Sequence, residues 1–346
     1  MHHPYLHTLD PFAIQFGDHF GIRWYGLAYL AGFFFSYLII HYLIKKGRSE
    51  LSPKLVSDFV FTAALGTIIG GRLGYCIFYS PDLFFEFTKS PPFWGVLAIN
   101  RGGMASHGGI IGVVLACLYF GKRHSVNGLH LIDLSTLGAA LGIFCGRIAN
   151  FINGELVGRP CREDFIFAVK FPQDILAWPE VAYAKLYSLT PVVEKIGVKA
   201  EAWKTILSKA PYSAAAATKL RETLQSVLDA IQSGNLAVQQ AIEPLLTPRH
   251  PSQLYAALLE GLLVFLLLVF IWRKPRKPGV ITACFFIFYS IVRIFDEQFR
   301  MPDIGIGFQL WGLTRGQWLS VGLLAFGFVF LWYVLNKKTS GNSHQE

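Results

Sequence analysis

The chain has 346 residues, 53% of them hydrophobic and 15% charged, with a mean hydropathy of +0.43. Soluble domains carry about 25% charged residues, so this composition excludes a solvated globular fold as well as disordered, collagenous and disulfide-stapled ones. The net charge of +9 fits basic loops beside anionic lipid and does not point to nucleic acid.

Apolar runs long enough to cross about 30 Å of hydrocarbon as helix occur at about 22–44, 55–79, 105–121, 130–151, 255–272, 279–297 and 316–335. They are continuous rather than alternating, which predicts helices and not a barrel. The expected fold is an all-α integral membrane protein with seven transmembrane helices. Residues 1–10 have no basic start and the first run is long and aromatic, so no cleavable leader is expected.

Between the fourth and fifth runs lies a long connection whose middle, about 175–248, has seven Lys and Arg against six Asp and Glu. It reads as either a small helical subdomain or a mobile insert. The chain is then one membrane-embedded domain over 1–338, interrupted by that insert, with a short polar tail at 339–346.

Basic clusters follow run one (Lys45, Lys46, Arg48, Lys54), run three (Lys122, Arg123), run five (Arg273, Lys274, Arg276, Lys277) and run seven (Lys337, Lys338). With seven spans all four fall on one side. The positive-inside rule makes that side cytoplasmic, with the N-terminus and the insert outside. Glycines recur every four residues at Gly66, Gly70 and Gly74 and at Gly138, Gly142 and Gly146, the pattern of closely packed membrane helices.

Ionisable groups inside spans are expensive and are functional candidates by default. Tyr25 opens run one and His107 opens run three. Arg147, Asn150 and Glu155 close run four; Arg293, Glu297 and Arg300, at i, i+4 and i+7, close run six. In the topology above all of them fall at the outer end, and clustered arginines suit phosphate oxygens. Plainer readings stand beside this one: Arg72 and Arg293 paired to carboxylates inside the bundle, snorkelling for the run-six stripe, a helix cap for His107, and an aromatic belt for Trp24 and Tyr25. A transporter with an anion site is the alternative class, but its site is expected near the midplane and in paired repeats with interrupted helices. Cys76, Cys117, Cys145 and Cys284 lie in apolar runs and Cys161 in a loop, without a C-x-x-C pair, so neither a metal site nor a disulfide framework is expected.

The stretch Gly146-Arg-Ile-Ala-Asn150-Phe-Ile-Asn153-Gly154-Glu155-Leu-Val-Gly158 resembles the G-R-x-x-N-F-x-N-x-E-x-x-G pattern of the prolipoprotein diacylglyceryl transferase family. Arg23 to Gly26, Gly102 to Gly109, His250 to Tyr255, Arg293 through Pro302-Asp303, and Gly316 to Ser320 agree in order. The resemblance implies a bacterial inner-membrane enzyme with seven spans and a periplasmic N-terminus. It would move the sn-1,2-diacylglyceryl group of phosphatidylglycerol to the lipobox cysteine of a prolipoprotein, without a cofactor or metal. Arg147 would hold the lipid phosphate, with Asn150, Glu155 and Gly158 shaping that site. His107 would sit at the catalytic centre and Tyr25 would match a functional tyrosine. Arg293 would be a further phosphate contact, in a second polar cluster with Glu297 and Arg300. Two departures stand out: Ala256 follows Gln-Leu-Tyr where the family commonly has Glu, so that any role of that carboxylate is either absent here or moved, with Glu260 the candidate, and the insert is long.

Overall fold

A computed structural model of the chain describes residues 3–16, 21–99, 102–302 and 307–337; Asp303, Lys338 and the tail at 339–346 lie outside them. The principal helices are α1 (Trp24–Lys45), α2 (Val56–Phe78), α3 (Ser106–His124) and α4 (Gly128–Asn153). The insert carries α5 (Trp178–Val181), α6 (Thr190–Lys195), α7 (Ala200–Lys209), α8 (Ala214–Gln232) and α9 (Leu236–Ile242). After it, α10 (Ser252–Ala256) passes through a π-helical stretch, Ala257–Leu263, into α11 (Val264–Ile271). The last two are α12 (Val280–Asp296) and α13 (Arg315–Asn336). Five segments are long and apolar enough to cross a membrane: Trp24–Lys45, Pro53–Phe78, Gly128–Asn153, Ser252–Ile271 and Arg315–Asn336. The remaining two predicted runs form α3, diluted by glycines and a basic last turn, and α12, 17 residues long.

The residues group into two compact units. One comprises Tyr29–Cys145, Leu258–Ile294 and Gly316–Glu346. Its core draws Leu43, Phe59, Phe120, Leu134, Leu268 and Ile281 from six helices. The glycine stripe of α2 lies against α3: a Cβ on Gly66 would stand 2.6 Å from the Gly112 carbonyl oxygen, and one on Gly74 2.9 Å from Gly108 Cα. The α4 stripe is only partly a contact. Gly138 packs on Ser36, and a Cβ on Gly32 would stand 3.1 Å from Gly142 Cα, but a Cβ on Gly142 or on Gly146 would meet nothing within 4 Å. Asp133 reaches from α4 to cap α12, accepting from the amides of Gly279 at 2.7 Å and Thr282 at 2.8 Å. The helix ends that carry basic clusters gather at one end of this unit, as Ser49–His130 at 2.8 Å, His130–Trp272 at 6.0 Å between ring centroids and Lys277 to the Leu335 carbonyl at 2.8 Å show.

Arg72 is structural, but its partners are not the expected carboxylates. The residue is 4% exposed, and its guanidinium donates to the carbonyls of Val96, Gly95, Gly102 and Gly103 at 2.6–2.9 Å. It thereby ties down the loop that leads into α3.

The other unit comprises Met1–Ala28, Gly146–Ala257 and Phe295–Arg315. Here the helical expectation needs an addition. A three-stranded sheet, β1 (Tyr5–Leu6), β4 (Val169–Lys170) and β5 (Pro248–Arg249), has β4 in the middle, parallel to β1 and antiparallel to β5. β2 (Phe12–Gln15) pairs antiparallel with β3 (Gly21–Arg23). The insert is a helical subdomain with its own core. On α8, Leu220, Leu224, Val227, Leu228 and Ile231 make one apolar face that packs with Trp203, Leu207, Leu186 and Ile242. Ser213 and Asn235 cap α8 and α9 through their side-chain oxygens.

Candidate active site

The signature stretch builds its geometry at the end of α4. Arg147 and Asn150 are one turn apart on the same face; Arg147 is half-buried and Asn150 is 5% exposed. The helix then closes in a Schellman turn: Gly154 N donates to the Phe151 carbonyl and Glu155 N to the Asn150 carbonyl, each at 3.0 Å. This turn needs a left-handed residue, and Gly154 supplies it at φ +66°. Glu155 therefore emerges at the helix end, exposed, with Tyr25 Oη donating to its Oε2 at 3.4 Å and Asn153 Nδ2 to its Oε1 at 3.5 Å.

The next residue, Leu156, is left-handed without being glycine, at φ +54°. Such a residue costs about 1–3 kcal/mol and persists only where its surroundings hold it. The His-Pro-Ser-Gln stretch does so: Gln253 Nε2 donates to the Glu155 carbonyl at 2.5 Å and Ser252 Oγ to the Leu156 carbonyl at 3.0 Å. Gly158 forms a β-bridge with Arg300, and a Cβ there would collide with the His250 carbonyl, a packing reason for its missing side chain. Arg159 secures this ladder by donating to the carbonyls of Arg300 at 3.0 Å and Glu297 at 3.4 Å.

The expected helical stripe at 293, 297 and 300 is broken. α12 stops at Asp296, so Glu297 lies in a turn and Arg300 in the bridge; Pro302, with no amide donor, follows shortly. Glu297 is 4% exposed and accepts from Thr314 Oγ1 at 3.1 Å. Tyr25, Arg147, Asn150, Glu155, Gly158, Glu297 and Arg300 all belong to this one unit.

His107 and Arg293 belong to the other. His107 is the second residue of α3, exposed and without a hydrogen-bond partner among the described residues, so both ring nitrogens are accessible. Arg293, 9% exposed, donates from Nη1 to Glu260 Oε1 at 2.7 Å. Glu260 is fully buried and stands in the π-helical stretch. The i→i+5 winding there turns its side chain relative to a regular helix, the kind of local bulge that recurs at functional sites. From the sequence, Glu260 stands out only as a candidate for the carboxylate missing at Ala256. Arg159, Ser252 and Gln253 have no signal of their own there, although the last two lie in the His250–Tyr255 stretch.

A helical, multi-pass membrane protein with arginines, carboxylates and an imidazole on helix ends belongs to the class of membrane-embedded enzymes rather than inert scaffolds. A family model described as Prolipoprotein diacylglyceryl transferase matches residues 11–333. A phosphatidylglycerol–prolipoprotein diacylglyceryl transferase of Bdellovibrio bacteriovorus is 56% identical over 326 residues, 94% of this chain and 93% of its own length. Proteins of the same name from Rhodospirillum centenum and Acinetobacter baumannii are 33% and 32% identical, over 94% and 96% of this chain and 91% and 94% of their own lengths. The chain belongs to the prolipoprotein diacylglyceryl transferase family.

Proposed function

We infer that this chain is a transferase of lipoprotein maturation, moving the sn-1,2-diacylglyceryl group of phosphatidylglycerol to the lipobox cysteine thiol of a prolipoprotein. The observation that carries the reading is the 56% identity along nearly the whole chain to a transferase of that name. The reaction displaces phosphate at a glycerol carbon: a C–S bond forms, a C–O bond breaks, and glycerol 1-phosphate leaves with the electron pair of that bond.

The residues supply the chemistry as follows. A thiol with a pKa near 8.5 is mostly protonated at neutral pH and the thiolate is the nucleophile, so His107, with both ring nitrogens accessible, takes the proton. Arg147 binds the phosphate of the lipid and meets its growing charge, with Arg293 as a second cation. Asn150, Glu155, Gly158 and Tyr25 shape the site around the lipid head, and Glu297 and Arg300 complete its polar wall. The enzyme crosses the bacterial inner membrane seven times, as one catalytic domain with the insert on the periplasmic side.

The test is incubation of the purified chain with labelled phosphatidylglycerol and a lipobox peptide. A thioether-linked diacylglyceryl peptide is expected from the wild type. His107→Gln should give none while still binding lipid; near-normal turnover in that variant refutes the base assignment, and lipid flipping without product refutes the transferase reading.

A further inference from the structure

His7 is a buried imidazole that the reaction above does not use. It is 1% exposed, follows β1 directly and precedes the residues matched by the family model. The segment is pinned by backbone pairing: Tyr5 N donates to the Ala168 carbonyl at 3.0 Å and His7 N to the Lys170 carbonyl at 2.9 Å. The ring sits between Phe151 and Phe171, with centroids 5.3 and 5.2 Å away.

Its two nitrogens are both engaged. Nε2 lies 2.7 Å from the Phe151 carbonyl oxygen, which only accepts, so Nε2 carries the proton. Nδ1 then accepts from Gln173 Nε2 at 3.3 Å. The Gln173 carboxamide in turn lies flush on Gly154, where any Cβ would overlap it. Phe151 and Gly154 form one of the two hydrogen-bonded pairs of the Schellman turn from which Glu155 leaves α4. The last carbonyls of a helix lack intrahelical donors, and here one of them receives a second donor from a segment more than 140 residues away.

We propose that the N-terminal segment is a positioning element of the site: His7, with Gln173, sets the turn that presents Asn150 and Glu155. The proposal rests on the reading that those two residues shape the lipid site. His7 touches neither substrate nor reacting atoms in this assignment; it acts by holding the helix end.

The experiment uses the full chain in nanodiscs, with hydrogen exchange and steady-state kinetics side by side. His7→Ala should speed exchange at the amides of Gly154 and Glu155 at least tenfold. It should also lower kcat/KM for phosphatidylglycerol at least tenfold while the peptide KM stays within twofold. Gln173→Ala should move both readouts in the same direction. His7→Gln, which keeps a neutral side-chain donor, should return kcat/KM to within threefold of wild type. Unchanged exchange at 154–155 in both alanine variants overturns the proposal, and so does a kinetic loss that falls equally on lipid and peptide and is not rescued by His7→Gln. A wild type that forms no thioether refutes the function reading instead, while the exchange arm still decides the role of His7.

Discussion

Glu260 shows how strongly one residue's surroundings constrain its charge. A fully buried carboxylate is tolerated only with a partner, and Arg293 stands 2.7 Å away. Breaking a buried pair by neutralising one side costs about 3–5 kcal/mol, so Glu260→Gln should lower thermal stability in detergent by that order. An unshifted melting temperature would show the pair to be dispensable. Arg147 is argued differently, from geometry. Phosphate binding by a guanidinium uses a planar fork that an ammonium lacks, so Arg147→Ala should cut kcat by about 10²–10³-fold, the loss typical of one transition-state donor. Arg147→Lys should recover little of it. Product formation from labelled lipid measures both, and a fully active lysine variant would argue for simple charge balance.

At the scale of elements, the glycine rows on α2 and α3 set how closely two helices approach. Substituting leucine at Gly112, whose own Cβ direction points at the Gly66 backbone, must force the helices apart and should cost at least the ~1–3 kcal/mol of ordinary overpacking. Gly146→Ala, facing nothing within 4 Å, should keep or raise stability by up to ~1 kcal/mol through helix propensity alone; a detergent melt of the two variants compares them. The α2 row is legible in the sequence because small residues at four-residue spacing share a helix face. Which members touch is not, since that depends on the partner helix. The same distinction explains the other surprises. Periodicity carried α12 past its end at Asp296, because the stop is made by the bridge between Gly158 and Arg300, a pairing across more than 140 residues. The Asn-Gly-Glu signal for a helix end was in plain view, yet the donors that secure it, from His7 and Gln253, come from distant segments that no local pattern connects. Arg72 was recognisable as a buried cation, but its acceptors are backbone carbonyls, which every residue has.

For the molecule as a whole, stability should respond to mild acid through His7. Burial pushes its imidazole down to about 4 from an ordinary 6.5, so the unfolded chain binds a proton before the folded one does. The contribution is complete above pH 6.5 and drains away as pH falls toward 4, at up to about 1.4 kcal/mol per pH unit. Unfolding of the full chain should therefore show a slope between pH 6.5 and 5 that His7→Gln flattens; identical slopes would assign the acid response elsewhere. The seven-span orientation has its own measurement. A cysteine placed at Ser233 in the insert should react with an impermeant maleimide on intact spheroplasts, and one placed at Lys274 only after lysis. Labelling of both from one side would rule out the arrangement. The insert closes on its own core, with Trp203 fully enclosed and Tyr212 at the α7–α8 corner 92% exposed. That makes the corner a ready anchorage for a fluorophore, through which the arrival of individual precursor chains becomes visible by energy transfer without altering a single reacting group.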